Sequence, residues 1–325
     1  MNNTSKAYAY PTMITPFNRD GSIDIGAVRA MCDWYYENSC GGIFTACQSS
    51  EIFNLTVAER VLLTQTVVDR VGEIASAHPG ESRMRVVASG HVSDAFDDQV
   101  YELKSIASTG IDTLILISNR MDIANTGDEA WIADTARLME TLPDIPLGVY
   151  ECPYPYKRLM TDAMLSFCAE SGRFFYMKDT CCDAAVIARR CTLIDGTPMQ
   201  LYNANAQTLL ASLRSGAAGY CGVMCNFHPS LYAWLCAHYD SEPETAEWVQ
   251  SMLGTAAFTE ALAYPVTAKY HLREIVGLPL SSIETRKRPA SDLKSYDIDC
   301  IRQMALLTDM TKEHLDKLFF NTPKI

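Results

Sequence analysis

The sequence predicts an α/β protein: a (β/α)8 (TIM) barrel over residues 1–239, followed by a C-terminal helical extension over 240–325. Three observations carry this reading. Strand-like and helical periods alternate from residue 8 to about residue 239 in roughly eight short units, the rhythm of parallel β/α repeats. Several of the strand segments are apolar throughout, as expected for a parallel sheet covered on both faces. From about residue 240 onward the periods are helical and no clear strand recurs.

Taken in order, "AYPTMITPF" (8–17) is strand-like and "IDIGAVRAMCDWYYEN" (23–38) helical. "GGIFTACQ" (41–48) and "TVAERVLLTQTVVDRV" (56–71) form the second unit. "RMRVVASGHV" and "DAFDDQVYELKSIASTG" form the third, "TLILIS" and "DEAWIADTARLMETL" the fourth. "PLGVYE" with "TDAMLSFCAES" and "FFYMKDT" with "DAAVIARRCTLI" follow. "MQLYNAN" with "AQTLLASLRSG" and "AGYCGVM" with "HPSLYAWLCAHY" complete the set. In the extension, "RKRPASDLKS" reads as a polar connection between helices.

The 325 residues suffice for one large barrel or two ordinary domains. A net charge of -12 argues against nucleic acid or an anionic membrane as partner, because both select clustered positive charge. No apolar run reaches bilayer length, and the N-terminus lacks the basic and apolar regions of a signal peptide. Twelve cysteines without an export signal read as reduced thiols of a cytoplasmic protein. No C-x-x-C or H-E-x-x-H spacing occurs, so a dedicated zinc site is not expected.

In such a barrel, reactive side chains lie at the C-terminal ends of the strands. That rule selects Gln48, Ser49, Ser50 and Glu51 after strand 2, His91 after strand 3, and Ser118, Asn119 and Arg120 after strand 4. It also selects Tyr150 and Glu151, Lys178, Asn203 and Asn205, and Cys221 to Met224 after strands 5 to 8. Lys178 is the sharpest of these. A lysine in "FFYMKDT" is expected to be desolvated, which favours the neutral amine, and a neutral amine can attack a ketone to form a Schiff base. The plain alternative is that Lys178 reaches solvent or pairs with Asp179. Tyr150, at the neighbouring strand end, could move protons on a substrate carbonyl, or could simply be a rim tyrosine. Glu51 reads as a structural acceptor for loop amides. His91 reads equally as a loop histidine or a substrate contact. Adjacent Cys181 and Cys182 point apart and suggest no redox pair, and "DWYYE" (33–37) reads as packing.

Five collinear stretches then resemble one family. "PTMITPF", "GGIFTACQSSEIFNLT", "VYECPYPYK", "YMKDT" and "SGAAGYCGVMCNFHP" are similar in order and spacing to the blocks of the dihydrodipicolinate synthase / N-acetylneuraminate lyase family, over residues 8–230. The resemblance implies that Lys178 forms an imine with pyruvate or another 2-oxo acid, and that Tyr150 transfers protons. It implies that Ser49 relays protons to Tyr150 and helps bind the carboxylate, with the backbone of Gln48. No cofactor beyond the covalent lysine imine is implied. Cys221, Glu151 and Arg120 are the further substrate-binding candidates. The departures fall on specificity: Cys47 and Ser50 replace two glycines, and "ISNRMDI" stands where the synthases carry an inter-subunit tyrosine. Pro155 takes the place of a carboxylate-binding arginine, and "NANA" (203–206) lacks the acidic pair of the sialic-acid lyases.

The expectation is a class I (Schiff-base) lyase or aldolase that makes or breaks a C–C bond on a 2-oxo acid. Two alternatives stay open: a dehydratase or deaminase of a 2-oxo-3-deoxy acid using the same imine, and a non-catalytic ligand-binding barrel. The resemblance also implies a homotetramer, a dimer of dimers.

Overall fold

Eight parallel strands stand in a ring in the computed structural model, which describes residues 7–319. They are β1 (Tyr8–Ala9), β2 (Gly42–Thr45), β3 (Arg85–Ser89), β4 (Thr113–Ile117), β5 (Leu147–Tyr150), β6 (Phe174–Asp179), β7 (Gln200–Asn203) and β8 (Gly219–Tyr220). Helices follow each strand: α1 (Ile25–Glu37), α2 (Val57–Ala77), α3 (Phe96–Ala107), α4 (Asp128–Thr141), α5 (Asp162–Glu170), α6 (Ala184–Ile194), α7 (Leu209–Arg214) and α8 (Pro229–His238). Every neighbouring pair is parallel, from β2·β3 round to β8·β1. The expected (β/α)8 barrel is the fold.

The first strand is much shorter than the apolar stretch 8–17 suggests. Pro11 has no N–H to give to a ladder, so regular pairing with β8 stops there. The chain instead crosses to β2: Gly41 N–H bonds Ala9 O, Phe44 N–H bonds Pro11 O, and Met13 N–H bonds Phe44 O, at 2.9 to 3.1 Å. This crossing joins β1 to β2 and completes the ring.

Side chains alternate along each strand between the barrel axis and the helical layer. Tyr10, Phe44, Val87, Ile115, Tyr150, Tyr176 and Tyr202 fill the interior as one apolar cluster. Tyr176 and Tyr202 stack at 4.5 Å, and Tyr10 meets Tyr202 edge-on at 4.8 Å. The larger apolar cluster lies between the strands and the surrounding helices.

Beyond α8 come α9 (Pro243–Ala256), a 3-10 turn (Ala257–Ala261), α10 (Val266–Tyr270) with a π-helical turn (His271–Ile275), and α11 (Ser295–Phe319). The segment between them returns to the barrel mouth. Glu51 accepts from the backbone N–H groups of Arg286 (2.6 Å) and Lys287 (2.8 Å) and pairs with buried Lys269 at 3.2 Å. The Arg286 guanidinium bonds Glu59, which also closes the capping box of α2 with Thr56. Among the described residues, no helix is long and apolar enough to cross a membrane.

Candidate active site

Lys178 ends the inward-facing row of β6, and Tyr150 is its register partner on β5. Both are buried, at 5% and 3% exposure. The Lys178 amino nitrogen lies 4.3 Å from the Tyr150 ring centre and 5.6 Å from that of Phe44. It forms no ion pair or hydrogen bond with any described residue. Asp179, which sequence reasoning offered as a partner, faces the other way, as strand alternation requires, and bonds Arg190 of α6.

Above the lysine opens a cavity of about 270 Å³ at the C-terminal face of the barrel. Gln48, Ser49, Tyr150 and Lys178 line it, with Thr180, Asn205, Gly222 and Val223 from the later strand ends. Gly222 is required there: a Cβ would lie 2.2 Å from the Tyr220 hydroxyl and 2.8 Å from Ala204 O.

The turn 47–51 presents backbone to this cavity. The N–H groups of Gln48 and Ser49 donate to no described residue. Ser50, in place of glycine, turns away: its hydroxyl donates to Met13 O (2.6 Å) and accepts from Cys47 N–H (3.1 Å), tying the turn to the first strand. Glu51 holds a left-handed conformation (φ 60°) and serves the C-terminal segment, the structural role its sequence position suggested.

The hydroxyl relay implied by the resemblance is wired differently. The Tyr150 hydroxyl donates to Gln48 Oε1 at 3.5 Å, whereas Ser49 Oγ donates to Thr12 Oγ1 at 3.1 Å. Asn226, from the loop after β8, donates to Thr12 O (2.9 Å) and to the Tyr264 hydroxyl (3.5 Å). Burial pushes the Tyr150 phenol well above its ordinary value, and it does the same to Tyr264, where Ser49 and Thr12 pull back.

Three substrate-binding candidates stand outside the cavity. Glu151 follows inward-facing Tyr150 and so points into the helical layer. It is fully buried, pairs with Arg190 at 2.8 Å, and accepts from Met160 N–H (2.7 Å) and Thr180 N–H (2.8 Å). It therefore holds the loops behind the site. Arg120 is turned away by the 3-10 turn Ser118–Arg120 and pairs with Asp94 at 2.8 Å. Its neighbour Asn119 clamps the β5 loop through Cys152 O, Tyr154 O and Tyr156 O. Cys221 lies beneath the cavity among Tyr176 and Tyr202; burial raises its thiol to about 11, with Lys178 acting in the opposite sense. Gly222 and Val223 take the lining position instead.

His91 is fully buried and neutral in its bonding: Nδ1 meets Gln99 Oε1 at 3.0 Å, while Nε2 accepts from Ile117 N–H at 2.6 Å. Burial lowers it to about 4.

The C-terminal region supplies residues that periodicity did not single out. Glu260 of the 3-10 turn, Tyr264, Pro265 and Lys287 all line the cavity, opposite the strand ends. Lys157, from the β5 loop, and exposed Cys182 complete the rim.

The sequence model of the dihydrodipicolinate synthetase family matches residues 7–77. A 4-hydroxy-tetrahydrodipicolinate synthase of Laribacter hongkongensis is 24% identical over 226 residues, 69% of this chain and 72% of that protein. The synthase of Methylacidiphilum fumariolicum SolV superposes with a TM-score of 0.81 at 18% identity, over 97% of this chain and 99% of its own. A dihydrodipicolinic acid synthase family protein of E. coli K12, solved in complex with pyruvate, superposes with a TM-score of 0.78 at 18% identity, over 94% and 98%. By sequence the chain is similar to the dihydrodipicolinate synthetase family over residues 7–77 and to its synthases at 24% identity, and it shares their fold.

Proposed function

We propose that this protein is a class I lyase of the aldolase type, acting on pyruvate or another 2-oxo acid through an imine on Lys178. One observation carries the reading: the Lys178 amine is shielded by aromatic rings, has no ionic partner, and opens on the cavity beside Tyr150. A desolvated amine of this kind is suited to attack a ketone. The amine adds to the substrate carbonyl, Tyr150 supplies and withdraws the protons of the carbinolamine, and water leaves to give the imine. The free N–H groups of Gln48 and Ser49 receive the substrate carboxylate. The protonated imine then accepts the electron pair of an adjacent C–C bond as it breaks, or of the reverse step as it forms.

The pyruvate complex of the E. coli relative supports the choice of pyruvate as first substrate. The cytoplasmic setting rests on twelve free cysteines, an inventory suited to a reducing compartment. Assembly as a homotetramer is part of the proposal, and sedimentation of the purified protein tests it. Incubation with pyruvate and borohydride is expected to add the reduced adduct mass at Lys178. An unmodified lysine at saturating pyruvate, and across a panel of 2-oxo acids, overturns the reading.

A further inference from the structure

Glu260 lies outside the eight β/α units, yet its side chain lines the same small cavity as Lys178. The carboxylate forms no hydrogen bond or ion pair with any described residue. Glu260 is exposed to solvent. Around the cavity it shares space with Lys178 from β6, Tyr150 from β5, Tyr264 and Lys287 from the C-terminal segment, and Lys157 and Cys182 on the rim. Beneath, Tyr220 of β8 and Tyr232 of α8 sense its charge. Desolvation raises Glu260 to about 7, with Lys178 acting in the opposite sense. A carboxyl poised there exchanges protons readily at neutral pH.

Tyr150, the phenol beside Lys178, has no proton exit through its hydrogen-bond partner. The Tyr150 hydroxyl meets Gln48 Oε1, an amide oxygen that accepts a hydrogen bond but passes no proton onward. The Cys152 thiol contacts the same oxygen at 3.6 Å. Burial raises Tyr150 well above its ordinary value, so the resting phenol is protonated. It can serve the carbonyl oxygen as the imine forms, but it is cut off from bulk water on that side.

We propose that Glu260 is the acid–base group that removes and returns the proton at the carbon next to the Lys178 imine, the solvent-connected role that Gln48 closes to Tyr150. The proposal rests on the lysine reading above. The Glu260 carboxylate takes a proton from C3 of the pyruvyl imine. The C–H electron pair forms the C2–C3 double bond, and the C–N π pair moves onto the iminium nitrogen, giving the neutral enamine. Protonation by the now neutral Glu260 reverses each change.

Pyruvate alone tests this, without knowledge of the second substrate. In D2O, the wild-type protein is expected to exchange the pyruvate methyl protons, followed by proton NMR, with a rate that rises with pH through about 7. Glu260→Gln is expected to trap pyruvate on Lys178 with borohydride within about twofold of wild type, while methyl exchange falls by about 100-fold and the limb near pH 7 disappears. Glu260→Asp restores part of the exchange and the limb. Exchange in Glu260→Gln within threefold of wild type, with the same pH limb, overturns the proposal while leaving the lysine reading intact. Absence of trapping in the wild-type protein overturns both.

Discussion

The amino nitrogen of Lys178 lies over the face of the Tyr150 ring, 4.3 Å from its centre, while the Tyr150 hydroxyl bonds Gln48. The ring therefore shields the amine, while the hydroxyl 3.5 Å from Gln48 is left for the substrate side of the cavity. These two functions of one tyrosine separate by mutation. Tyr150→Phe keeps the ring, so the fold and slow borohydride trapping at Lys178 are expected to survive. Turnover is expected to fall by about 10²- to 10⁴-fold, the usual worth of one positioned acid–base group. An unchanged rate shows that the hydroxyl is not used.

Lys178→Arg keeps most of the side-chain volume but cannot form an imine. The variant is expected to fold, by circular dichroism, and to give no reduced adduct at this position with pyruvate. An adduct of equal yield elsewhere in the chain assigns the chemistry to another lysine.

Glu51 and Lys269 form a fully buried pair. Removing one member leaves a buried charge uncompensated, so Glu51→Ala is expected to cost about 3–5 kcal/mol in denaturant unfolding. The double variant Glu51→Leu, Lys269→Met is expected to recover much of that loss, because both charges then leave together. A single variant as stable as wild type shows that the pair contributes nothing.

Three histidines are buried as neutral rings: His91 and His271, lowered to about 4, and His228, lowered to about 3, each chiefly by desolvation. The unfolded chain titrates them near 6.5, so between about pH 4 and 6.5 it binds more protons than the native state. Their contribution is full above about 6.5 and is lost as the pH falls toward 4, by roughly 3 kcal/mol for each ring. Unfolding at pH 5 is expected to take up nearly three protons, about one on each ring, measurable as the slope of stability against pH. A flat profile between pH 4 and 6.5 contradicts the neutral assignment.

Cys182 is the exposed thiol on the cavity rim, whereas Cys32, Cys47, Cys152 and Cys221 are buried. A thiol reagent is expected to modify Cys182 first, identified by peptide mass, and to block pyruvate trapping by filling the mouth. Cys182→Ser is expected to trap pyruvate normally and to resist that block. Equal sensitivity of the variant points to another thiol.

Much of the site was legible in the sequence because alternating periods locate strand ends, and strand ends locate chemistry in a barrel. Lys178, Tyr150, Gln48 and Ser49 meet for that reason. Glu151 was within reach of the same logic: once Tyr150 faces the axis, the next residue faces the helices. Arg120 was not, since a single 3-10 turn redirects the chain after β4. Glu260, Tyr264 and Lys287 were hidden for a different reason. They sit in a region whose only regular signal is helical, and Lys287 is held by a contact with Glu51, 236 positions away.

The Glu51 carboxylate stands two residues after Ser49 and holds the backbone of residues 286 and 287. The turn that carries Gln48 and Ser49 and the segment that places Lys287 at the mouth thus share one fastening. A nick in the connection 286–295, even with every strand intact, would release a wall of the chamber. Proteolysis there is expected to silence the enzyme long before it unfolds the barrel.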